Sequence, residues 1–169
     1  VKSQTPERNP AYSTKCSTAA ASTSCSAMPI TTNSTPTTPT LDQPTDGATN
    51  ITTTTVFKTT TTDADSDYLR YKLQLCTDLA MTVDCQTFNQ VSSQTGWSGQ
   101  NTQSNTAYTS GTQATYTVQS ALNPSTTYYW RTYAIDPAGL NVFSATQGTP
   151  YSFTTKETPP QPITCTVSK

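Results

Sequence analysis

The chain contains no histidine and only six glycines, and charged residues make up just 11% of it. Without an imidazole, the side chain best suited to moving a proton near neutral pH is missing, and acid–base chemistry would fall to a few carboxylates. No apolar run approaches the roughly 18 to 20 residues that a membrane-crossing helix needs, so no membrane span is expected in this chain. The start, Val1-Lys2-Ser3-Gln4, has neither an initiator Met nor a signal-peptide apolar region, and the chain is expected to be a processed product or an excised fragment. Nine basic residues stand against ten acidic ones, for a net charge of −1. No Lys/Arg cluster forms the stripe on which nucleic-acid binding depends, so nucleic acid is not an expected partner. An Arg-Gly-Asp tripeptide is also lacking, which removes the sequence basis for integrin-type adhesion.

What is abundant is threonine, roughly a quarter of the 169 residues, together with 12 prolines. The length suffices for one compact domain of about 100 to 130 residues with extra segments. Residues 1 to about 30 are polar, with the small-residue run Ala19-Ala20-Ala21-Ser22-Thr23-Ser24 between Cys16 and Cys25. Ile30 to Thr40 is dense in Thr and Pro and reads as an extended segment, a candidate for O-glycosylation. Five cysteines, at 16, 25, 76, 85 and 165, occur without a CxxC and read as oxidised pairs of a secreted protein. Cys76 and Cys85 should pair locally across Thr77 to Asp84. Cys16 and Cys25 share that separation, which would leave Cys165 over, while Cys165 with Cys16 or Cys25 is the rival arrangement. Two N-glycosylation sequons, at Asn33 and Asn50, suit the same extracellular, cell-surface compartment.

The strand pattern is densest from Pro39 onward. Pro39 to Pro44 reads as a first edge strand and Thr45-Asp46-Gly47 as a turn. Thr52 to Thr62 is β-branched or aromatic apart from Lys58 and reads as a second strand carrying Phe57. Leu69, Tyr71, Leu73 and Leu75 alternate with Arg70, Lys72 and Gln74, the clearest period-two signal. Gln86 to Ser110 is a long polar crossing with weaker strand signals. Ala114, Tyr116 and Val118 alternate again, Pro150 to Thr155 forms another strand, and the Pro-rich tail 158–169 ends in one more alternating stretch. Between them lies Leu122-Asn-Pro124-Ser-Thr126-Thr-Tyr128-Tyr129-Trp130-Arg131-Thr-Tyr133-Ala134. Pro124 sets a turn, and the strand after it carries bulky groups on both faces, as a central strand does.

The spacing Leu122-x-Pro124-x-Thr126-x-Tyr128 resembles the entry to strand F of fibronectin type III domains, which are immunoglobulin-like β-sandwiches. The resemblance covers about residues 39 to 156. It implies an all-β, antiparallel sandwich over 37–157; the extended N-terminal segment (1–36) and the C-terminal tail strand (158–169), read from their composition and alternation, flank it. It also implies that Tyr128 closes a corner onto the preceding loop. Phe57 stands where that family commonly places a core Trp.

Asp63, Asp65 and Asp67 are candidate Ca²⁺ ligands, set against the plainer reading of a solvated turn-forming loop. An EF-hand is excluded, because counting from Asp63 puts Tyr68 where the loop needs Gly and Gln74 where it needs Glu. Asp78, Asp84 and Asp136 lie in turn-like settings that do not suggest a glycosidase pair, and no enzyme and no other cofactor is expected. Trp97, Tyr108 and Tyr129 are candidate stacking surfaces for sugar, set against roles in packing. The reading is a non-catalytic extracellular subunit of a pilus-like filament or surface layer. Its partners are copies of itself or neighbouring surface-protein domains, joined through exchanged terminal strands. The alternative is an adhesive or carbohydrate-binding module, with glycans as partners.

Overall fold

The computed structural model describes residues 12–13, 28–29, 32–137, 141–145 and 148–158. The chain divides into two compact units, Val1–Asn33 and Ser34–Lys169. In the first, β1 (Tyr12–Ser13) and β2 (Met28–Pro29) pair antiparallel.

The second unit is all-β, with a single 3₁₀ turn (Gln103–Asn105) and no α-helix among the described residues. It has two sheets. In order across it, the four-stranded sheet runs β3 (Thr40–Gln43), β5 (Val56–Thr60), β9 (Ala114–Thr117), β8 (Trp97–Ser98). The five-stranded sheet runs β4 (Ala48–Ile51), β11 (Tyr151–Thr155), β10 (Thr127–Ile135), β6 (Arg70–Cys76), β7 (Gln86–Asn89). Every strand pair is antiparallel except β4 with β11. The expected β-sandwich is therefore present.

Alternation builds its core. Along β10, Tyr128, Trp130, Thr132 and Ala134 are buried, while Tyr129, Arg131 and Tyr133 are half-buried on the outer face. Along β6, Tyr71, Leu73 and Leu75 are buried, and the register sets Leu75 beside Trp130 and Leu73 beside Thr132. Phe57 of β5 crosses the gap between the sheets to meet the Trp130 ring at 5.0 Å and the Phe153 ring at 5.7 Å, both edge-on. Buried aromatic rings prefer that arrangement, which adds about 0.5 to 1.5 kcal/mol per pair beyond area burial. The outer face of β10 is tied down by polar contacts: Arg131 Nε and the Tyr133 hydroxyl both donate to Gln74 Oε1, at 2.9 and 3.1 Å.

The turn before β10 is tied to the strand by Tyr128. The Asn123 amide donates to the Tyr128 hydroxyl at 3.1 Å, and Leu122 is buried beneath it. Pro124 sits in the turn itself, exposed.

Four elements differ from expectation, the first being β4, for which no strand was expected. The Thr52 to Thr62 stretch forms a strand only over Val56–Thr60, because residues 53–54 bend and Thr55 folds its hydroxyl back onto Thr52 O at 2.7 Å. The polar crossing contains two strands, β7 and β8. They are held by Phe88, stacked 4.5 Å from Tyr116, and by Trp97, 4.9 Å from Tyr116. Gly96 enters β8 with φ +86°, where an added Cβ would stand 2.5 Å from the Tyr116 ring and 2.8 Å from Thr117 O.

Candidate functional site

At one end of the sandwich, β5 leaves, β6 enters and β10 leaves, and this end gathers four carboxylates. Asp63 follows β5 and Asp67 leads into β6. The last β6–β10 pair, Arg70 with Ile135, puts Asp136 level with the mouth of the same loop. The loop is built by its own side chains. Asp63 Oδ1 accepts the Asp65 amide at 2.8 Å, Asp63 O accepts the Ser66 amide at 3.2 Å, and Ser66 takes φ +62°. The Asp63 amide donates to Ser110 Oγ at 2.8 Å, which fixes the loop to the segment before β9. Leu69 and Tyr108 exchange backbone hydrogen bonds at 2.7 and 2.9 Å, fixing its far side.

Residues 64–66 of this loop are exposed, but the Asp63 side chain is not. It is 5% exposed, and its Oδ2 is buried without a hydrogen-bond partner. Asp136 is 1% exposed. Asp67 is half-buried. Its carboxyl is held above the ordinary value, first by desolvation and then by the charges of Asp136, Asp63 and Asp65. Asp65 is exposed, and its Oδ2 accepts the Ser34 amide. Arg70, the first residue of β6, directs Nε and Nη2 to Thr106 O and Oγ1, at 3.0 and 3.1 Å. Carboxylates pooled in this way hold a proton or a cation. Asp136 was not legible as a member, since its only local signal is a position just past a strand.

A groove of about 700 Å³ opens beside Asp67, lined also by Tyr68, Arg70, Asn101, Thr106 and Thr109. Tyr68 is 41% exposed. The sugar-stacking residues named from sequence do not meet here. Tyr108 is fully buried, donates its hydroxyl to Ser98 O at 2.7 Å, and is pushed up to about 12 by burial. Trp97 is buried against Tyr71 and Tyr116. Neither offers a free ring face, so packing accounts for both. Tyr129 is half-buried on the outer face of β10.

Cys76 and Cys85 form the expected disulfide. Asp78 lies within 4.8 Å of their sulfurs, but bonded sulfurs are not thiolate ligands, so these three do not make a metal site. Inside the closed loop Asp78 caps the turn. Oδ1 accepts the Thr82 and Val83 amides at 2.8 and 2.7 Å, and the Val83 bond leads in holding its carboxyl below the usual range. Leu79 and Val83 stand exposed on this loop. Cys16, Cys25 and Cys165 lie outside the described residues. Asn50 is exposed on β4 with φ +57°, a backbone region asparagine tolerates, and Asn33 is half-buried. Among the described residues no helix is long and apolar enough to cross a membrane. Comparison with protein-family models, curated proteins and solved structures finds no match in any of the three.

Proposed function

We propose that this chain is a non-catalytic, extracellular structural module of the fibronectin type III-like kind, which assembles with copies of itself through exchanged terminal strands. Two features support the module reading. The strand orders β3-β5-β9-β8 and β4-β11-β10-β6-β7 contain the A-B-E-D and G-F-C arrangement of immunoglobulin-like sandwiches, with β4 added beside G and β7 beyond C. The bond from the Asn123 amide to Tyr128 is a tyrosine corner reaching five residues upstream.

The observation that carries assembly is the edge of the five-stranded sheet. Among the described residues β7 pairs with β6 alone, and its four residues carry no proline, lysine or glutamate to block a further strand. Such an edge accepts an added strand through main-chain hydrogen bonds. Segments 1–36 and 158–169 are the donors, and Cys165 is positioned in sequence to lock a neighbour. Light scattering across a concentration series, with negative-stain microscopy reduced and non-reduced, tests this. The full chain should form a ladder of oligomers that is lost when either donor segment is removed. A monomer at every concentration sinks it.

The groove beside Tyr68 favours a second reading, a carbohydrate-binding module, since an exposed ring among hydroxyl and amide groups is what a sugar stacks on. A monomer retained on a glycan matrix, with retention lost in Tyr68→Ala, would select it.

A further inference from the structure

We infer that Asp63, Asp67 and Asp136 form a Ca²⁺ site that clasps the two sheets together at one end of the sandwich. The three carboxylates come from the exit of β5 in one sheet and from the entrance of β6 and exit of β10 in the other. An ion held by all three would be a cross-link between layers.

The argument rests first on Asp63. Its Oδ1 is occupied by the Asp65 amide, while its Oδ2 is sealed from solvent with no donor. A buried, unpartnered carboxylate oxygen is costly, and native proteins relieve that cost with a donor, a proton or a metal. Asp67 and Asp136 bring further negative charge to the same place. Like charges gathered at a loop mouth are stabilised together by one divalent cation.

The donor set selects the ion. All the ligands are hard oxygens, which suits Ca²⁺ or Mg²⁺ over softer metals. Mg²⁺ requires near-ideal octahedral geometry at about 2.0 to 2.1 Å, while Ca²⁺ accepts six to eight ligands at about 2.3 to 2.6 Å in adaptable geometry. Carboxylates borne by two separate segments, the β5–β6 loop and the exit of β10, meet the looser requirement. Asp63, Asp67 and Asp136 do not lie mutually within the 4.8 Å that separates opposite ligands of one Ca²⁺. Binding must therefore draw Asp67, the half-exposed and most adjustable of the three, toward the other two. Asp65, bonded to the Ser34 amide, contributes charge and is not needed as a ligand. This set replaces the Asp63, Asp65, Asp67 grouping suggested by sequence.

The site is independent of the proposed assembly and is tested on the full chain after dialysis against chelator. Thermal unfolding with 10 mM CaCl₂ against EDTA should show a rise of about 4 to 8 °C, as expected for an affinity near that of extracellular Ca²⁺ modules. Calorimetric titration should give one Ca²⁺ per chain. Asp67→Asn and Asp136→Asn should abolish the rise. Asp67→Asn should also unfold in EDTA no lower than the parent, because it removes repulsion from a chain that still folds. A Ca²⁺ shift below about 1 °C, or one of full size in both variants, overturns the site. An equal shift with MgCl₂ overturns the assignment to Ca²⁺.

Discussion

Thr132 of β10 donates its hydroxyl to Thr59 of β5 across the gap between the two sheets, with the oxygens 2.8 Å apart. The direction follows from the neighbouring bond, because the single hydroxyl proton of Thr59 goes to Thr40 O at 2.6 Å. Both side chains are buried, at 3% and 0% exposure, so the pair is a polar tie inside an otherwise apolar core.

That direction makes the two threonines unequal. Thr59→Val strands the Thr132 proton and removes the side-chain donor to Thr40 O, so it should cost about 1 to 3 kcal/mol. Thr132→Val removes only a donor to an oxygen whose own proton stays bonded, and should cost about 0 to 1 kcal/mol. The double variant should be more stable than Thr59→Val alone, since no hydroxyl is then left stranded. Urea unfolding of the three variants measures this, and a reversed order would show the proton running the other way.

Gln90 completes the β6 edge where β7 ends. Its amide donates to Tyr71 O at 2.9 Å, its Oε1 accepts the Tyr71 amide at 3.0 Å, and its Nε2 donates to Thr106 O at 3.1 Å. A side chain stands in for a strand neighbour, wholly buried. Gln90→Leu should therefore destabilise by about 1 to 3 kcal/mol, by orphaning the buried Tyr71 amide, while Thr106 O keeps its bond from Arg70 Nε. Its effect should also appear as faster hydrogen exchange at the Tyr71 amide, which a simple loss of packing would not single out.

These polar ties explain what could and could not be read from the chain. Strands β6 and β10 were legible because each buries every second side chain and pairs along its full length. The bond from the Asn123 amide to the Tyr128 hydroxyl joins residues five apart, within one stretch of sequence. Strand β7 was not, since its Gln86, Thr87, Phe88 and Asn89 carry one apolar residue, and its order comes from β6 and from Phe88 stacking on Tyr116. Strand β4 was hidden because its partner β11 lies at the other end of the domain in sequence. The carboxylate site was half visible. Asp63, Asp65 and Asp67 announce themselves by clustering, but only the β6–β10 register brings Asp136 to them.

The Cys76–Cys85 bridge closes a loop with a sequence separation of 9. On the chain-entropy account, opening so short a loop costs about 2.5 to 3 kcal/mol. The Cys76→Ala/Cys85→Ser pair should lower the urea midpoint accordingly while leaving the far-UV spectrum of the sandwich unchanged. Asp78 holds the same loop through Thr82 and Val83, so the turn should persist, and the exposed Leu79 and Val83 should become protease-sensitive only slowly.

Asp46 supplies the pH dependence. Its Oδ1 accepts the Ser152 amide at 2.8 Å and the Ser152 hydroxyl at 3.1 Å, joining the turn before β4 to β11. The amide bond leads in holding its carboxyl below the ordinary value of 3.8. Since the folded value is lower than the unfolded one, the unfolded chain takes up the proton first as pH falls. The contribution to stability is whole above the unfolded value and drains away as pH drops through 3.8 toward the folded one. Asp46 is exposed, so the bonds are partly screened, and Asp46→Ala should cost only about 0.5 to 1 kcal/mol at pH 7. As pH falls below 3.8 the urea midpoints of variant and parent should converge. A difference that stays constant from pH 7 to pH 3 would mean that the loss is one of turn geometry and not of the charged acceptor.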